Sequence, residues 1–193
     1  AGAKNVAVTN PSAQSGTLTN GFAYVTPVSF AGLTDATAAL EAAALTWSAA
    51  SGTGVTYDVF QATASGAENY ALPVLSTNGL SAYISPLYPG SNSPITYFFV
   101  VRASDACGSS ESNTVEKSVQ PLLDPNKDQD SDGMPNSFEQ QYGLNPFNAA
   151  DANGDADGDG LSNLAEMLAG TNPTNSASFF GVTAITQESN DVR

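Results

Sequence analysis

The chain has 193 residues and a formal net charge of −14, from 19 acidic and 5 basic residues. It contains no histidine and one cysteine. These counts exclude a Ser–His or Cys–His catalytic pair, an imidazole or cysteine-rich zinc site, and an internal disulfide. The negative charge disfavours binding to nucleic acid or to anionic membrane surfaces. No apolar run is long enough to span a bilayer.

At the N-terminus, alternating apolar residues at 5–9 and 21–25 predict two strands joined by residues 10–16. Residues 1–26 resemble the last hairpin of an IPT/TIG immunoglobulin-like domain. Because a two-stranded hairpin is marginally stable in water, we expect it to need a partner.

The next segment, residues 27–120, alternates like short strands separated by turns, and it predicts a mostly β fold. The clearest strands are predicted at residues 44–48, Thr56–Ala62 and 96–103. The Ala-rich residues 35–45 would also suit a helix, but we interpret them as a loop and the start of a strand. One face of the 96–103 strand is predicted to carry Tyr97, Phe99, Val101 and Ala103.

This segment resembles a fibronectin type III module, an immunoglobulin-like β-sandwich. In that resemblance residues 30–33 correspond to the first strand, Trp47 to the core tryptophan of the second, and Tyr97 to the tyrosine corner. Residues 105–115 correspond to the final hairpin. The fold hosts many functions, so the resemblance implies core roles for these aromatic residues and no particular ligand.

The acidic residues concentrate in one duplicated window. Residues 124–166 contain ten acidic residues and a single base, Lys127, which gives that window a net charge of −9. Residues 124–148 recur at an offset of 27 with twelve identities. Each copy contains the calcium-loop pattern D-x-[DN]-x-[DN]-G-x5-E. Calcium takes six to eight oxygen ligands, and alternate residues of a tight loop can direct their oxygens onto one centre.

The pattern predicts at least two Ca²⁺ ions and two ligand sets, each with four carboxylates, one main-chain carbonyl and one amide. The first set is Asp128, Asp130, Asp132, Met134, Asn136 and Glu139. The second set is Asp155, Asp157, Asp159, Leu161, Asn163 and Glu166. The alternation extends upstream to four candidate outer ligands, Asp124, Asn126, Asp151 and Asn153.

Two other interpretations of the acidic window are weaker. A run of like charge is usually a solvated surface, but the regular spacing argues against that. A paired-carboxylate hydrolase needs one carboxylate in an apolar pocket that raises its pKa, and a short Gly-rich loop offers no such pocket.

Short helices are predicted after each loop, at residues 135–142 and 162–169, with Gly143 and Gly170 at their ends. Helix breakers precede both loops, so no entering helix is expected and the loops should not open like an EF-hand sensor. Residues 121–175 resemble two bacterial thrombospondin type 3 repeats. That resemblance implies calcium-dependent rigid spacers in secreted, surface-attached proteins. Residues 176–193 look like the start of a further β module or an exchanged strand.

The sequence therefore predicts a non-enzymatic, calcium-binding structural or adhesion segment, extracellular and on a bacterial cell surface. It would act as a rigid spacer in a multidomain protein or in a filament. Its expected partners are other modules of the same protein, or neighbouring subunits joined through the terminal strands. Two alternatives stay open: a dockerin-like docking module, whose loops usually end in Asp, and a non-catalytic accessory region of a secreted enzyme.

Overall fold

The computed structural model describes residues 2–24, 27–179 and 181, which form a mostly β structure with three antiparallel sheets and two short helices. No helix in these ranges is long and apolar enough to cross a membrane. Contacts divide the chain into two compact units: residues 1–88 with 95–122, and residues 89–94 with 123 onward. The elements are β1 (Gly2–Thr9), β2 (Ser15–Tyr24), β3 (Leu33–Ala39), β4 (Ala42–Trp47), β5 (Thr56–Ala62), β6 (Leu75–Thr77), β7 (Ser81–Ile84), β8 (Tyr97–Ser104), β9 (Glu116–Val119), α1 (Asn136–Tyr142), a 3-10 turn (Asp151–Asn153) and α2 (Asn163–Ala169).

The two strands predicted at the N-terminus are present, and β1 and β2 pair antiparallel. The second strand begins at Ser15, earlier than predicted. The reason is a compact turn between the strands. In this turn the side-chain oxygen Oδ1 of Asn10 accepts from the main-chain amides of Ser12 and Gln14, both at 3.0 Å. The last residue of the predicted second strand, Val25, lies outside the described residues.

The first unit also contains two facing sheets, ordered β3-β4-β7 and β6-β5-β8-β9, which fit a β-sandwich. Their inward residues alternate along each strand and form one apolar core. On β8 the predicted inner face is confirmed, because all four of its residues are buried. The strands predicted at 44–48, Thr56–Ala62 and 96–103 correspond to β4, β5 and β8.

The Ala-rich segment forms strand where a loop was predicted. Residues 35–39 belong to β3, which pairs with β4 across a tight turn containing Glu41 at φ +48°. The small side chains of Ala42 and Ala43 are fully buried, and Ala43 belongs to the apolar core between the sheets.

Two strand positions inferred from the fibronectin resemblance need correction. The first strand does not cover residues 30–33 but begins at Leu33, because Gly32 has φ +87° and interrupts extended backbone. The resemblance placed the final hairpin at residues 105–115, but its second strand begins only after this range. The Asp105 carboxylate accepts from the amides of Cys107 and Ser109 at 2.9 Å and builds a turn there, and β9 forms only at Glu116–Val119.

Tyr97 has the geometry expected of a tyrosine corner. It is the first residue of β8, and its hydroxyl donates to the main-chain carbonyl of Tyr88 at 3.1 Å. Trp47, on the second strand of the sandwich, is 4% exposed and packs against Tyr57 with ring centroids 5.5 Å apart. Both aromatic residues therefore belong to the core, as predicted.

Candidate metal centre

The acidic region is built from two loop–helix units of the same design. Helix α1 follows Pro135 and ends at Gly143, which has φ +72°. Helix α2 follows Ser162, whose hydroxyl accepts from the amide of Ala165 at 3.3 Å, and ends at Gly170. Both predicted helices are confirmed to within one residue. In the described part of the chain no α-helix leads into either loop; only the 3-10 turn lies before the second.

Main-chain amides fold each loop around its first aspartate. In the first loop, the Asp128 carboxylate accepts from the amides of Asp132 at 3.2 Å and Gly133 at 2.8 Å. Asp132 in turn accepts from the amide of Met134 at 2.8 Å, and Gly133 supports this turn with φ +98°. The second loop repeats these contacts: Asp155 accepts from the amides of Asp159 at 3.2 Å and Gly160 at 2.9 Å, and Asp159 accepts from Leu161 at 2.9 Å.

These folds bring carboxylate oxygens together in three groups, each with one oxygen per residue within 4.8 Å of the others. One group comes from each loop, and the third joins the first loop to the second repeat. That third group shows that Asp151, a candidate outer ligand, lies beside the end of the first loop. The groups are Asp128, Asp130 and Asp132; Asp132, Glu139 and Asp151; and Asp155, Asp157 and Asp159.

The two loop-ending glutamates are fully buried, both with 0% exposure. Neither oxygen of Glu139 has a hydrogen-bond donor among the described residues, and one oxygen of Glu166 also has none. Leaving a buried polar atom unpaired costs about 1–3 kcal/mol, and more when it is charged. A cation would supply the missing partner. The residues present therefore fit an oxygen-binding ion such as calcium.

The pKa of Glu139 is raised from 4.5 to about 8, first by burial and then by repulsion from Asp130, Asp132, Asp151 and Asp128. Burial also raises the pKa of Glu166, Asp130 and Asp132, and neighbouring aspartates add to the effect. A short Gly-rich loop was expected to offer no pocket that raises the pKa of a carboxylate, and Glu139 contradicts that expectation. Its neighbours are other carboxylates, and this crowding of negative charge suits a cation.

Two predicted ligands, Asn136 and Asn163, make hydrogen bonds to main chain, and their role as ligands stays a prediction. The Asn136 amide nitrogen donates to the main-chain carbonyl of Asp124 at 2.6 Å, and its oxygen accepts from the amide of Gln129 at 3.1 Å. Asn163 makes the equivalent bonds 27 residues later, to the carbonyl of Asp151 at 2.7 Å and from the amide of Ala156 at 3.2 Å. Both buried amides thus tie a loop to the residues before it.

The remaining predicted ligands are candidate outer ligands and two main-chain carbonyls. Asp124 accepts from the amide of Asn126 at 3.0 Å and belongs to none of the acidic groups in the described ranges. Asn153 is exposed in the 3-10 turn. The main-chain amides of Met134 and Leu161 donate to the carboxylates of Asp132 and Asp159. That the carbonyls of Met134 and Leu161 bind the ion stays a prediction.

Sequence reasoning missed two polar residues at the second loop. Thr171 donates its hydroxyl to Glu166 Oε1 at 3.3 Å, and Ser178 accepts from the amide of Asn172 at 3.0 Å. The 27-residue offset could have singled them out: it aligns Thr171 with Leu144 and, followed past Asn175, Ser178 with Asp151.

Comparisons with known proteins give one family match. A family model of the bacterial TSP3 repeat matches residues 155–176, which cover the second loop, α2 and the turn after it. A sequence comparison with curated proteins gives no match. Among solved structures, a β-1,2-glucanase from Parabacteroides distasonis is similar at 13% identity and a TM-score of 0.42. That similarity covers 65% of this chain and 17% of the glucanase chain, and at this TM-score it carries no argument.

The matched repeat is of a calcium-binding type, and it points to a structural rather than a catalytic module. The acidic groups between residues 128 and 159 agree with calcium binding. A repeat of this type is also consistent with an extracellular location.

Proposed function

We propose that the chain is a non-enzymatic, calcium-rigidified structural segment of an extracellular protein. The observation that carries the proposal is Glu139, a fully buried glutamate whose two oxygens have no donor in the described structure and which lies among aspartates. A site of this kind without a cation would be strongly destabilised, because like charges repel and no hydrogen bonds compensate. The TSP3 match over residues 155–176 supports calcium as that cation.

In this proposal each loop binds one Ca²⁺ through side-chain carboxylates and one main-chain carbonyl, from Met134 or Leu161. Two bound ions would change the charge of residues 124–166 from −9 to about −5. Asn136 and Asn163 hold the loops closed and are left out of the ligand sets. The carboxylates proposed for the first centre are Asp128, Asp130, Asp132, Glu139 and Asp151, and those for the second are Asp155, Asp157, Asp159 and Glu166.

Calcium bound in this way would act mechanically. It would join residues far apart in sequence, such as Asp128 and Asp151, and so fix the path of a segment whose described residues form two helices of seven residues each. Because no α-helix of the described residues enters either loop, we expect no opening motion of the kind seen in EF-hand sensors. The expected consequence is a rigid spacer that weakens when calcium is removed.

The β region fits a modular protein of the same kind. We propose that residues 27–120 form a fibronectin type III-like module, supported by the two-sheet arrangement, buried Trp47 and the Tyr97 corner. Residues 1–26 would be an IPT/TIG-like hairpin, and residues 121–175 two calcium repeats. Most of residues 176–193 lie outside the described ranges, and we propose that they begin a further module or exchange with a neighbour. Partners would be adjoining modules or subunits of a cell-surface protein or filament.

Removing calcium tests the proposal directly. Hydrogen exchange measured with about 5 mM calcium and then with a chelator should show loss of protection across residues 121–175, since extracellular calcium modules bind at roughly 10⁻⁴–10⁻³ M. Fluorescence of Trp47, the single tryptophan, reports the sandwich and serves as the internal control. Equal protection of residues 121–175 in calcium and in chelator would refute the proposal.

A further inference from the structure

The first centre is completed by a residue from the following repeat. Asp151 precedes the second loop, yet its carboxylate groups with Asp132 and Glu139 of the first. One Asp151 oxygen accepts from the amide of Asn145 at 2.8 Å, which closes the turn between the repeats. Its other oxygen is buried without a donor in the described structure. The first centre therefore has a fifth carboxylate that its own loop does not supply.

At the second centre the corresponding residue is a serine. Ser178 lies 27 residues after Asp151, and its amide donates to the carbonyl of Asn175 at 2.7 Å, as the Asp151 amide does to Asn148 at 3.1 Å. The Ser178 hydroxyl accepts from the amide of Asn172 at 3.0 Å, which replaces the bond to Asp151. The turn is thus preserved, while the additional negative charge is missing.

A second difference lies at the loop-ending glutamate. In the second repeat Thr171 donates its hydroxyl to Glu166 Oε1 at 3.3 Å, whereas the equivalent Leu144 has no donor on its side chain. Both glutamates are fully buried, but Glu139 has two unpaired oxygens and Glu166 has one. Counting partners among the described residues, six buried carboxylate oxygens at the first centre and three at the second have no donor. They are Asp130 Oδ1 and Oδ2, Asp132 Oδ2, Glu139 Oε1 and Oε2 and Asp151 Oδ1, against Asp157 Oδ2, Asp159 Oδ2 and Glu166 Oε2.

The second centre also borders open space. A cleft of about 480 Å³ is lined by Asp159, Leu161, Ser176 and Phe179. Water can therefore approach the second centre on this side, and water oxygens readily complete a calcium shell.

We propose that the two centres bind calcium with different affinity and in a fixed order, the first before the second, and that Ser178 sets this difference. The inference rests on the proposed calcium function. Filling the first centre fastens the first repeat to the second through Asp151. Filling the second centre stiffens only its own repeat, because the residue that would extend the contact is an uncharged serine.

Exchanging the two residues tests the order. Asp151→Ser and Ser178→Asp each give one centre the residue of the other, and serine at 178 already shows that the hydroxyl can hold the turn. Ala177→Asp is the matched control, because it adds the same charge at the neighbouring exposed position. Calorimetric titration of the whole chain with calcium chloride measures affinity. Hydrogen exchange of peptides 128–139 and 155–166 at each calcium level shows which loop fills first.

The wild-type chain should show two classes of site whose dissociation constants differ by roughly tenfold or more, with peptide 128–139 protected first. Ser178→Asp should tighten the weaker class toward the stronger, a gain that misfolding cannot imitate, and Asp151→Ser should weaken the stronger class. Simultaneous filling of both loops in the wild type, or equal affinities of Ser178→Asp and Ala177→Asp, would overturn the inference. Absence of calcium binding by the wild-type chain would instead refute the proposed function on which it rests.

Discussion

Replacing Glu139 by glutamine should stabilise the calcium-free acidic repeats and remove part of their response to calcium. The side chain is fully buried, its oxygens have no donor in the described residues, and its pKa is raised to about 8. Glutamine keeps the size of the side chain and cannot ionise. Glu139→Gln therefore separates the cost of the buried acid from its value as a ligand.

The size of the calcium-free effect follows from the pKa. In the unfolded chain the carboxyl ionises above 4.5, whereas in the folded chain it stays protonated up to about 8. The folded state thus binds the extra proton in this window, and its stability falls as pH rises, by about 1.4 kcal/mol per pH unit. Glu139→Gln removes this loss. It should raise the free energy of unfolding by at most about 3.5 kcal/mol at pH 7, and by less than about 1 kcal/mol at pH 5.

In the presence of calcium the wild-type chain should gain more stability than the Glu139→Gln variant. A site with a dissociation constant of roughly 10⁻⁴–10⁻³ M adds about 1–2 kcal/mol of stability at about 5 mM calcium. The wild-type chain should gain this calcium-dependent stability at the first centre. The Glu139→Gln variant should lose most of that gain, because an amide offers one neutral oxygen where the carboxylate offers two charged ones. The second centre should still respond.

Hydrogen exchange, corrected for the intrinsic rate at each pH, measures these changes separately in peptides from residues 123–179 and in the β-sandwich. Asp35→Asn on β3 is the control, since it removes one charge at an exposed position outside the acidic loops. If Glu139→Gln destabilises the calcium-free repeats, or if it keeps the full calcium response, the carboxylate is a structural residue and the argument for a metal ligand fails.

Three further results are expected. Tyr97→Phe should lower the stability of the sandwich by about 0.5–1.5 kcal/mol in urea unfolding, because it removes the hydrogen bond to the Tyr88 carbonyl; no change would mean that the corner contributes nothing. Gly133→Ala and Gly160→Ala should each cost about 1–3 kcal/mol at φ +98°, with Gly133→Ala the worse because Leu164 lies 3.3 Å from the added carbon; equal costs would contradict the crowding. Calcium binding at pH 7 should release protons, because ions displace them from a buried carboxyl of pKa about 8; a binding heat that is identical in buffers of different ionisation enthalpy would exclude this.

Local features of the acidic repeats were predictable because they depend on residues that lie close together in the sequence. The spacing of aspartates, glycine and glutamate predicted both loops, and Gly143 and Gly170 predicted where the helices end. The direction of a side chain was not predictable in the same way. The sequence predicted Asn136 and Asn163 as ligands, and only the fold shows that their side chains also bind main chain.

In the β region, the alternation of apolar residues predicted the central strands but did not locate β3 and β9, which pair with them. The 96–103 strand was clear because its large apolar residues alternate strictly. Residues 35–39 carry small or polar side chains whose pattern fits strand, loop or helix, and their pairing with β4 decides for strand. The late start of β9 depends on the turn that Asp105 organises, which the alternation does not encode.

The repeat that is visible in the sequence and the proposed ion-binding unit are out of phase. The sequence repeats from Asp124 and again from Asp151, but the first acidic centre extends from Asp128 to Asp151 and so crosses the boundary. This agrees with Asp124, which no loop precedes: its carboxylate accepts from the amide of Asn126, and in the described ranges it belongs to no acidic group. It also means that each repeat depends on the one after it, so the residue that follows the last repeat decides how the last centre is completed. Here that residue is Ser178, which holds the turn through its hydroxyl and brings no negative charge to the second centre.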